Sequence, residues 1–531
     1  MYDLIIRHGE VIDGLDTPRR RADVGVVGDR IASIGDLGDA EARRVIDATG
    51  LVVTPGFVDI HSHSDLTLLS DGRARSKIAQ GVTTEVNGNC GIGYAPAMGP
   101  HRDLVRAEGP TCDLDAAVTI DWTSFAGYLE ALERARPAIN VATLVGHGPL
   151  RIGRLGVEPR PATAADREAI EQATLAALDE GAFGVSTGLT QVPLIWADAD
   201  ELVTIAAAAA TRDALFAIHM RNYAAGFGTA LGEAIRVARR AEARIQVSHM
   251  STSGRANWPQ AHDGRTTLEA AHADGLDIGF DIYPFLAGSA NLSQLLPEWV
   301  QAGGSVELVR RLTDPAIRRR AADEWTAQRF LDWDEVEICL VDPGMEAYLG
   351  LTLRRVGERM GVEPAEAGVE LIRLTENRVC MIAYGRSDQN VIEALQHPRA
   401  VIGSDGFAMD PDGPTGVGMP HPRSFGCYPR LLGEYVRDRQ VIPLERAVAI
   451  STSAAAARLG LTDRGRLVEG AYADIVAFDA DTVCDRATYR APKVFPSGIG
   501  HVVVNGQVAL DDGAQVETIR AGRVLRRSTA A

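Results

Sequence analysis

The sequence has no surplus of positive charge, no closely spaced cysteines, no long apolar run and few aromatic residues. Each absence excludes something. A formal charge of −17 with only 54 basic residues leaves no basic face for phosphate, which argues against nucleic-acid binding. The six cysteines (Cys90, Cys112, Cys339, Cys380, Cys427 and Cys484) are scattered without a CxxC pair. In a chain this long, that pattern predicts reduced thiols. No run approaches the ~20 apolar residues of a membrane helix, so no membrane partner is expected. The opening "MYDLIIRHGEVIDG" lacks a basic stretch followed by an apolar one, so no signal peptide is expected and a cytoplasmic location is the default.

What is present is a globular composition, 46% hydrophobic over 531 residues, enough for one large barrel domain or two to three ordinary ones. Both ends alternate apolar and polar residues between Gly and Asp-Gly turns, as in "ADVGVVGDRIASIG" and "HVVVNGQVALDDG". Such short strands at either end predict one small β domain built from both termini. In the middle, apolar runs alternate with Ala-rich helical stretches. The strand candidates are "LVVTPGFVDI", "VTTEVNGN", "INVATLVGH", "AFGVSTG", "LFAIHM", "RIQVSHM", "LDIGFDIYP" and "RAVIGSD". Eight βα units suggest a (β/α)8 barrel, although a doubly wound sheet gives the same local pattern. A helical, charged stretch at about 290–345 fits no βα unit and reads as an insertion after the seventh strand. Long Gly/Pro-rich segments follow the second and eighth strands, where a barrel carries its functional loops.

Polar residues end these strands. The first gives His61 and His63, the second Cys90, the third His147 and the fourth Ser186 and Thr187. The fifth gives His219, the sixth His249, the seventh Asp281 and Tyr283, and the eighth Asp405. Barrel chemistry sits at that rim, and imidazole, thiolate and carboxylate are transition-metal ligands. The i, i+2 spacing of His61 and His63 predicts that both leave one face of a strand together with Asp59, with Val58 and Ile60 on the face turned from the lumen. A paired histidine, two single histidines and a terminal aspartate point to a metal site. His147 alone reads as a satisfied buried histidine or as support for a neighbouring ligand.

The strings "PGFVDIHSHSD", "SHM" and "GSDG", with the split β domain, resemble the amidohydrolase superfamily. "GVTTEVNGNCGIG", "GVSTGL", "SHMSTSGRANW", "DIYPFLAGS" and "HPRSFGCYPRLLGEYVR" narrow the resemblance to its D-aminoacylase (N-acyl-D-amino-acid deacylase) branch, over almost the whole chain. The resemblance implies an α/β fold: a distorted (β/α)8 TIM barrel (56–460, with the insertion at about 290–345) and a small β-sandwich domain formed by both chain termini (1–55 and 461–531). It implies one or two divalent metal ions, Zn2+ by family habit. His61, His63 and Asp405 would hold the more exposed ion, and His219 and His249 the more buried one. Many superfamily members bridge two metals with a carboxylated lysine, but the only lysines here are Lys77 and Lys493. The branch uses a cysteine instead, and Cys90 matches it. Asp405 would double as general base. Arg221, Tyr283, Ser289 and Arg423 are the candidates for contacts to a substrate carboxylate.

Two departures bear on the substrate. The branch carries a lysine after the sixth-strand histidine, where this chain has Ser251 and Thr252. It carries an aromatic residue after "STGL", where this chain has Gln191. The expected activity is hydrolysis of N-acyl amino acids, the D series included, or of related small-molecule amides. The alternatives are a cyclic-amide hydrolase of dihydropyrimidinase type and an inactive scaffold-like relative. An assembly of identical chains is compatible with any of these.

Overall fold

The computed structural model describes residues 1–109 and 118–527. Cys112 and the end of the Gly/Pro-rich segment after the second strand lie outside the described residues. The eight apolar runs form the parallel strands of a (β/α)8 barrel, in two arcs. One arc holds barrel strands 1 (Phe57–Asp59), 2 (Val82–Asn87) and the first half of 3 (Asn140–Thr143). The other holds the second half of 3 (Val145–Gly146) and strands 4 (Gly184–Gly188), 5 (Leu215–His219), 6 (Ile245–Val247), 7 (Ile278–Ile282) and 8 (Ala400–Ile402). The helices between them bury one apolar stripe each. In Phe227–Ala241 the stripe is Phe227, Ala230, Leu231, Ala234 and Ala238, at three- and four-residue spacing. The helix Ala164–Asp179 begins at a capping box in which Thr163 and Asp166 exchange hydrogen bonds.

The expected first strand, "LVVTPGFVDI", is two strands. Val52–Pro55 pairs antiparallel with Ile475–Phe478 in the terminal sheet, and the barrel begins only at Phe57. Gly56 makes the passage, since a Cβ there would collide with the Thr83 side chain. Among the described residues, the terminal sheet joins nine strands from both chain ends. Leu4, Val24, Ile31, Val53, Ile475 and Val508 share one core, so the sheet curls on itself in the manner of a sandwich.

The excursion between strands 7 and 8 runs further than the expected 290–345. Its antiparallel sheet includes Ala287–Asn291, Val336–Leu340 and, as the middle strand, Cys380–Tyr384. It packs its helices over a separate core that includes Leu292, Trp325, Ile338, Val356, Ile372 and Met381. The third strand pairs across some ninety residues of chain, which local pattern does not encode. The expectation of six reduced thiols is also corrected. Cys90, Cys339, Cys427 and Cys484 are free, whereas Cys380 is disulfide-bonded. Pairing follows proximity in space, and spacing without a CxxC motif carries no signal of it. Among the described residues, no helix is long and apolar enough to cross a membrane.

Strand pleat gives the wrong account of the first strand's faces. Val58 and Ile60 pack with Val86, Ala142, Phe183, Leu215, Ala217 and Val401, alternate residues from strands around the barrel, so they fill its interior. Asp59 points the other way, to Lys77 Nζ at 2.6 Å. The strand ends at Asp59, and the irregular backbone that follows re-aims His61 and His63 toward the rim.

Candidate metal centre

Barrel strands 1 and 8 meet at this rim through site residues. The amide of Asp405 donates to the carbonyl of His61 at 2.7 Å, and the amide of His63 donates to that of Gly406 at 2.9 Å. This seam closes the barrel and sets Asp405 beside both histidines. Asp405 Oδ1 is 2.9 Å from His63 Nε2 and 3.5 Å from His61 Nε2. Beneath the seam, Lys77 lies buried between Asp59 and Glu85, the latter at 3.3 Å, with Ser404 Oγ at 3.0 Å. Burial opposes its charge, but the two carboxylates outweigh burial and raise its pKa. A lysine tied down in this way is not available to bridge metals.

Cys90 takes the central place. Its Sγ lies 3.3 Å from His61 Nε2 and 3.5 Å from His249 Nε2. The donor atoms of His61, His63 and Cys90 all fall within 4.8 Å of one another, and so do those of Cys90, His219 and His249. One sulfur therefore belongs to both groups. The backbone is bent to achieve this: Cys90, His249 and Asp405 have φ of 55°, 35° and 54°, a region rare for residues other than glycine. Neighbours hold the Cys90 loop in place. Gln191 Nε2 donates to the Cys90 carbonyl at 2.7 Å, and the Gly91 amide donates to Ser186 Oγ at 2.9 Å. A side chain at Gly188 would strike the same Cys90 carbonyl. Gln191, noted above as a departure, thus supports the loop.

Asp281 orients the His61 ring and pins the His249 backbone. Its Oδ1 is 3.0 Å from His61 Nδ1 and accepts from the His249 amide at 2.7 Å. Carboxylates behind ligand histidines fix ring and tautomer. Sequence reasoning noted Asp281 only as a strand-end residue, since its partners come from other strands. His219 Nε2 lies 2.8 Å from Thr190 Oγ1. His147 is satisfied elsewhere, between Thr187 Oγ1 at 3.0 Å and Glu201 Oε1 at 2.8 Å.

Burial opposes ionisation of the Cys90 thiol, yet His61, His219 and His249 outweigh it and hold the group well below its usual range. Burial likewise opposes the Asp405 charge, and Arg423, His63 and His61 reverse the outcome, leaving it well below the usual carboxylate range. Against burial, Asp405 and Cys90 raise His63 to about 9. Burial dominates at His249, whose pKa is lowered. Imidazoles, a thiolate and a carboxylate that converge out of water form a donor set that fits zinc. His63 Nδ1 is buried without a hydrogen-bond partner, which leaves a ring nitrogen open.

A cavity of about 490 Å³ opens beside these donors. It is lined in part by His219, His249, Asp405, Arg221, Tyr283, Ser289 and Arg386. A larger cavity of about 710 Å³ holds none of the converging donors. Tyr283 and Ser289 therefore border the site, the latter from the first strand of the insertion sheet. The two arginines both have protein partners. Arg423 Nη1 lies 2.8 Å from Asp405 Oδ2 and donates to Tyr283 Oη at 2.6 Å, so its charge faces the aspartate. Arg221 lines the cavity but gives its hydrogens to Glu233, through Nε and Nη2 both at 3.0 Å, and to the carbonyls of Ile195 and Ala197. These contacts anchor a loop and occupy its fork with protein acceptors. Arg221→Met is therefore expected to lower stability by about 2 kcal/mol, read by thermal unfolding, with KM changed less than about threefold. A large rise in KM at unchanged melting temperature would return Arg221 to the substrate. Thr252 turns away, to Asn390 Nδ2 at 3.4 Å, while Ser251 lines the cavity.

The profile of the amidohydrolase family matches residues 44–510, most of the chain. The chain belongs to the amidohydrolase family. This amidohydrolase is similar over its whole length to two proteins of Alcaligenes xylosoxydans xylosoxydans. One is an N-acyl-D-glutamate deacylase, 38% identical over 99% of this chain and 96% of the relative. The other is a D-aminoacylase, 36% identical over 100% of this chain and 98% of the relative. Among solved structures, it resembles the N-acyl-D-glutamate deacylase of Bordetella bronchiseptica complexed with zinc and a phosphonate inhibitor. There the TM-score is 0.83 and the identity 34%, over 99% of this amidohydrolase and 100% of that chain.

Proposed function

We propose that the chain is a zinc-dependent hydrolase that cleaves the linear amide of N-acyl-D-amino acids. The observation that carries this reading is the pair of donor groups sharing Cys90, with Asp405 at their rim. In this reading His61, His63 and Cys90 hold one ion, Cys90, His219 and His249 hold another, and Asp281 orients the His61 ring and holds the His249 backbone. Zinc held there supplies Lewis acidity, which acidifies water and polarises an amide carbonyl. Asp405 is the general base and then the general acid. It takes the proton of the attacking water and delivers it to the leaving nitrogen. Arg423 keeps Asp405 ionised for the first of these transfers. Full-length likeness to two deacylases supports a linear amide over a cyclic one.

The test is a hydrolysis screen of N-acetyl-D- and N-acetyl-L-amino acids, dipeptides, hydantoins and aryl amides, with and without added zinc. At least about 100-fold preference for the D series is expected, which corresponds to roughly 3 kcal/mol of transition-state discrimination. Chelation should abolish it. Turnover confined to hydantoins, or full activity in metal-free protein, would sink the reading.

A further inference from the structure

The cavity beside the donors holds a cation that no described side chain neutralises. Four charged side chains other than histidine line it: Arg221, Arg386, Glu298 and Asp405. Arg221 is matched by Glu233 and Asp405 by Arg423. Glu298 is exposed. Arg386 follows the middle strand of the insertion sheet, and its guanidinium carbon lies 4.2 Å from the centre of the Tyr283 ring. Among the described residues no carboxylate pairs with it, and its Nη1 is buried without a hydrogen-bond partner. A second donor in the same cavity is also open, since Ser251 Oγ is buried and unpartnered. Arg386 Nη2 would lie 3.9 Å from a Cβ at Gly288, next to Ser289 on the cavity wall.

A half-buried guanidinium with an open, buried Nη1 is costly unless a ligand meets it, and its planar fork matches a carboxylate. Among the described residues the remaining wall offers no second unpaired cation, since Arg221 is held by Glu233. Leu295, Leu296, Phe330, Leu331 and Met381 make much of it apolar, and Glu298 sets a negative charge on the lining. We infer that Arg386, assisted by Ser251, receives the substrate's carboxylate, and that the pocket takes one carboxylate only. The substrate is then a monocarboxylic N-acyl amino acid with an uncharged side chain, and not an N-acyl glutamate or aspartate. This inference rests on the proposed function and adds the substrate class.

The experiment is steady-state kinetics of the zinc-loaded enzyme and its Arg386→Met and Arg386→Lys variants. The substrates are N-acetyl-D-leucine, N-acetyl-D-leucinamide and N-acetyl-D-glutamate. For N-acetyl-D-leucine, Arg386→Met is expected to raise KM about 100-fold with kcat within about threefold. Arg386→Lys should recover part of the loss. The leucinamide, which lacks the carboxylate, should be an equally poor substrate for all three proteins. Wild-type kcat/KM should favour N-acetyl-D-leucine over N-acetyl-D-glutamate by at least about 100-fold. An unchanged KM in Arg386→Met, or equal losses on acid and amide, would overturn the assignment of Arg386. A preference for the glutamate would overturn the single-carboxylate pocket. If Arg386→Met fails to fold, an unchanged KM in both Arg386→Lys and Ser251→Ala would overturn the assignment in its place. A wild-type enzyme inactive on every N-acyl amino acid would defeat the underlying reading first, and this one with it.

Discussion

Asp405→Asn is expected to lower kcat by about 10³-fold, within the range general acid–base groups contribute, while metal content is retained. Asparagine is the apt replacement because it tolerates the left-handed backbone that position 405 requires, with φ at 54°. The amide of residue 405 still donates to the His61 carbonyl, so the barrel seam survives. What is lost is the negative charge that Arg423 faces at 2.8 Å and the group that could take a proton from water. Arg423 is then left buried without its charged partner, so some loss of stability accompanies the loss of rate. Metal analysis and thermal unfolding separate the two effects. Near-normal turnover with bound zinc would show that Asp405 is not the base.

The second large effect is expected at Cys90→Ser. Changes to groups behind a metal ligand typically cost about 10–100-fold in metal affinity, and removal of a donor shared by two clusters should exceed that. The serine hydroxyl stays protonated at neutral pH, whereas the thiol is poised to ionise. The loop itself should hold its course, because Gln191 and Ser186 grip the backbone and not the sulfur. The variant should therefore melt like the metal-free wild type yet retain little zinc after dialysis against a chelator. Full metal retention would remove Cys90 from the centre. Loss of metal together with collapse of the apo protein would show that the cysteine is structural.

Much of the barrel is legible in the sequence because its strands are buried on both faces and read as apolar runs bounded by turns. His61, His63, Cys90, His219, His249 and Asp405, noticed as strand-end residues, do meet in space. The reason offered for the His61–His63 pair does not hold, because the strand ends at Asp59 and an irregular turn, not the pleat, directs both rings. Other parts were invisible for a common reason. Arg386 reaches the cavity from a sheet whose strands pair across the insertion, and Asp281 meets a ring and a backbone amide from two other strands. Arg221 looked free because its partner Glu233 lies on the following helix and its two carbonyl acceptors on an earlier loop. Side-chain type shows what a residue can bind, and only the fold shows what has already claimed it.

The seam between the first and eighth barrel strands has a kinetic consequence. The hydrogen bonds that close the ring are made by His61, His63, Asp405 and Gly406, residues that lie at opposite ends of the barrel's sequence. Contacts of such high order form late, after the loop-closure entropy of the intervening chain has been overcome. A partly assembled barrel can hold most of its helices and strands and still have no metal pocket. Recovery of activity on refolding should therefore lag behind recovery of helical signal, so that the appearance of catalysis becomes a clock for the last long-range step.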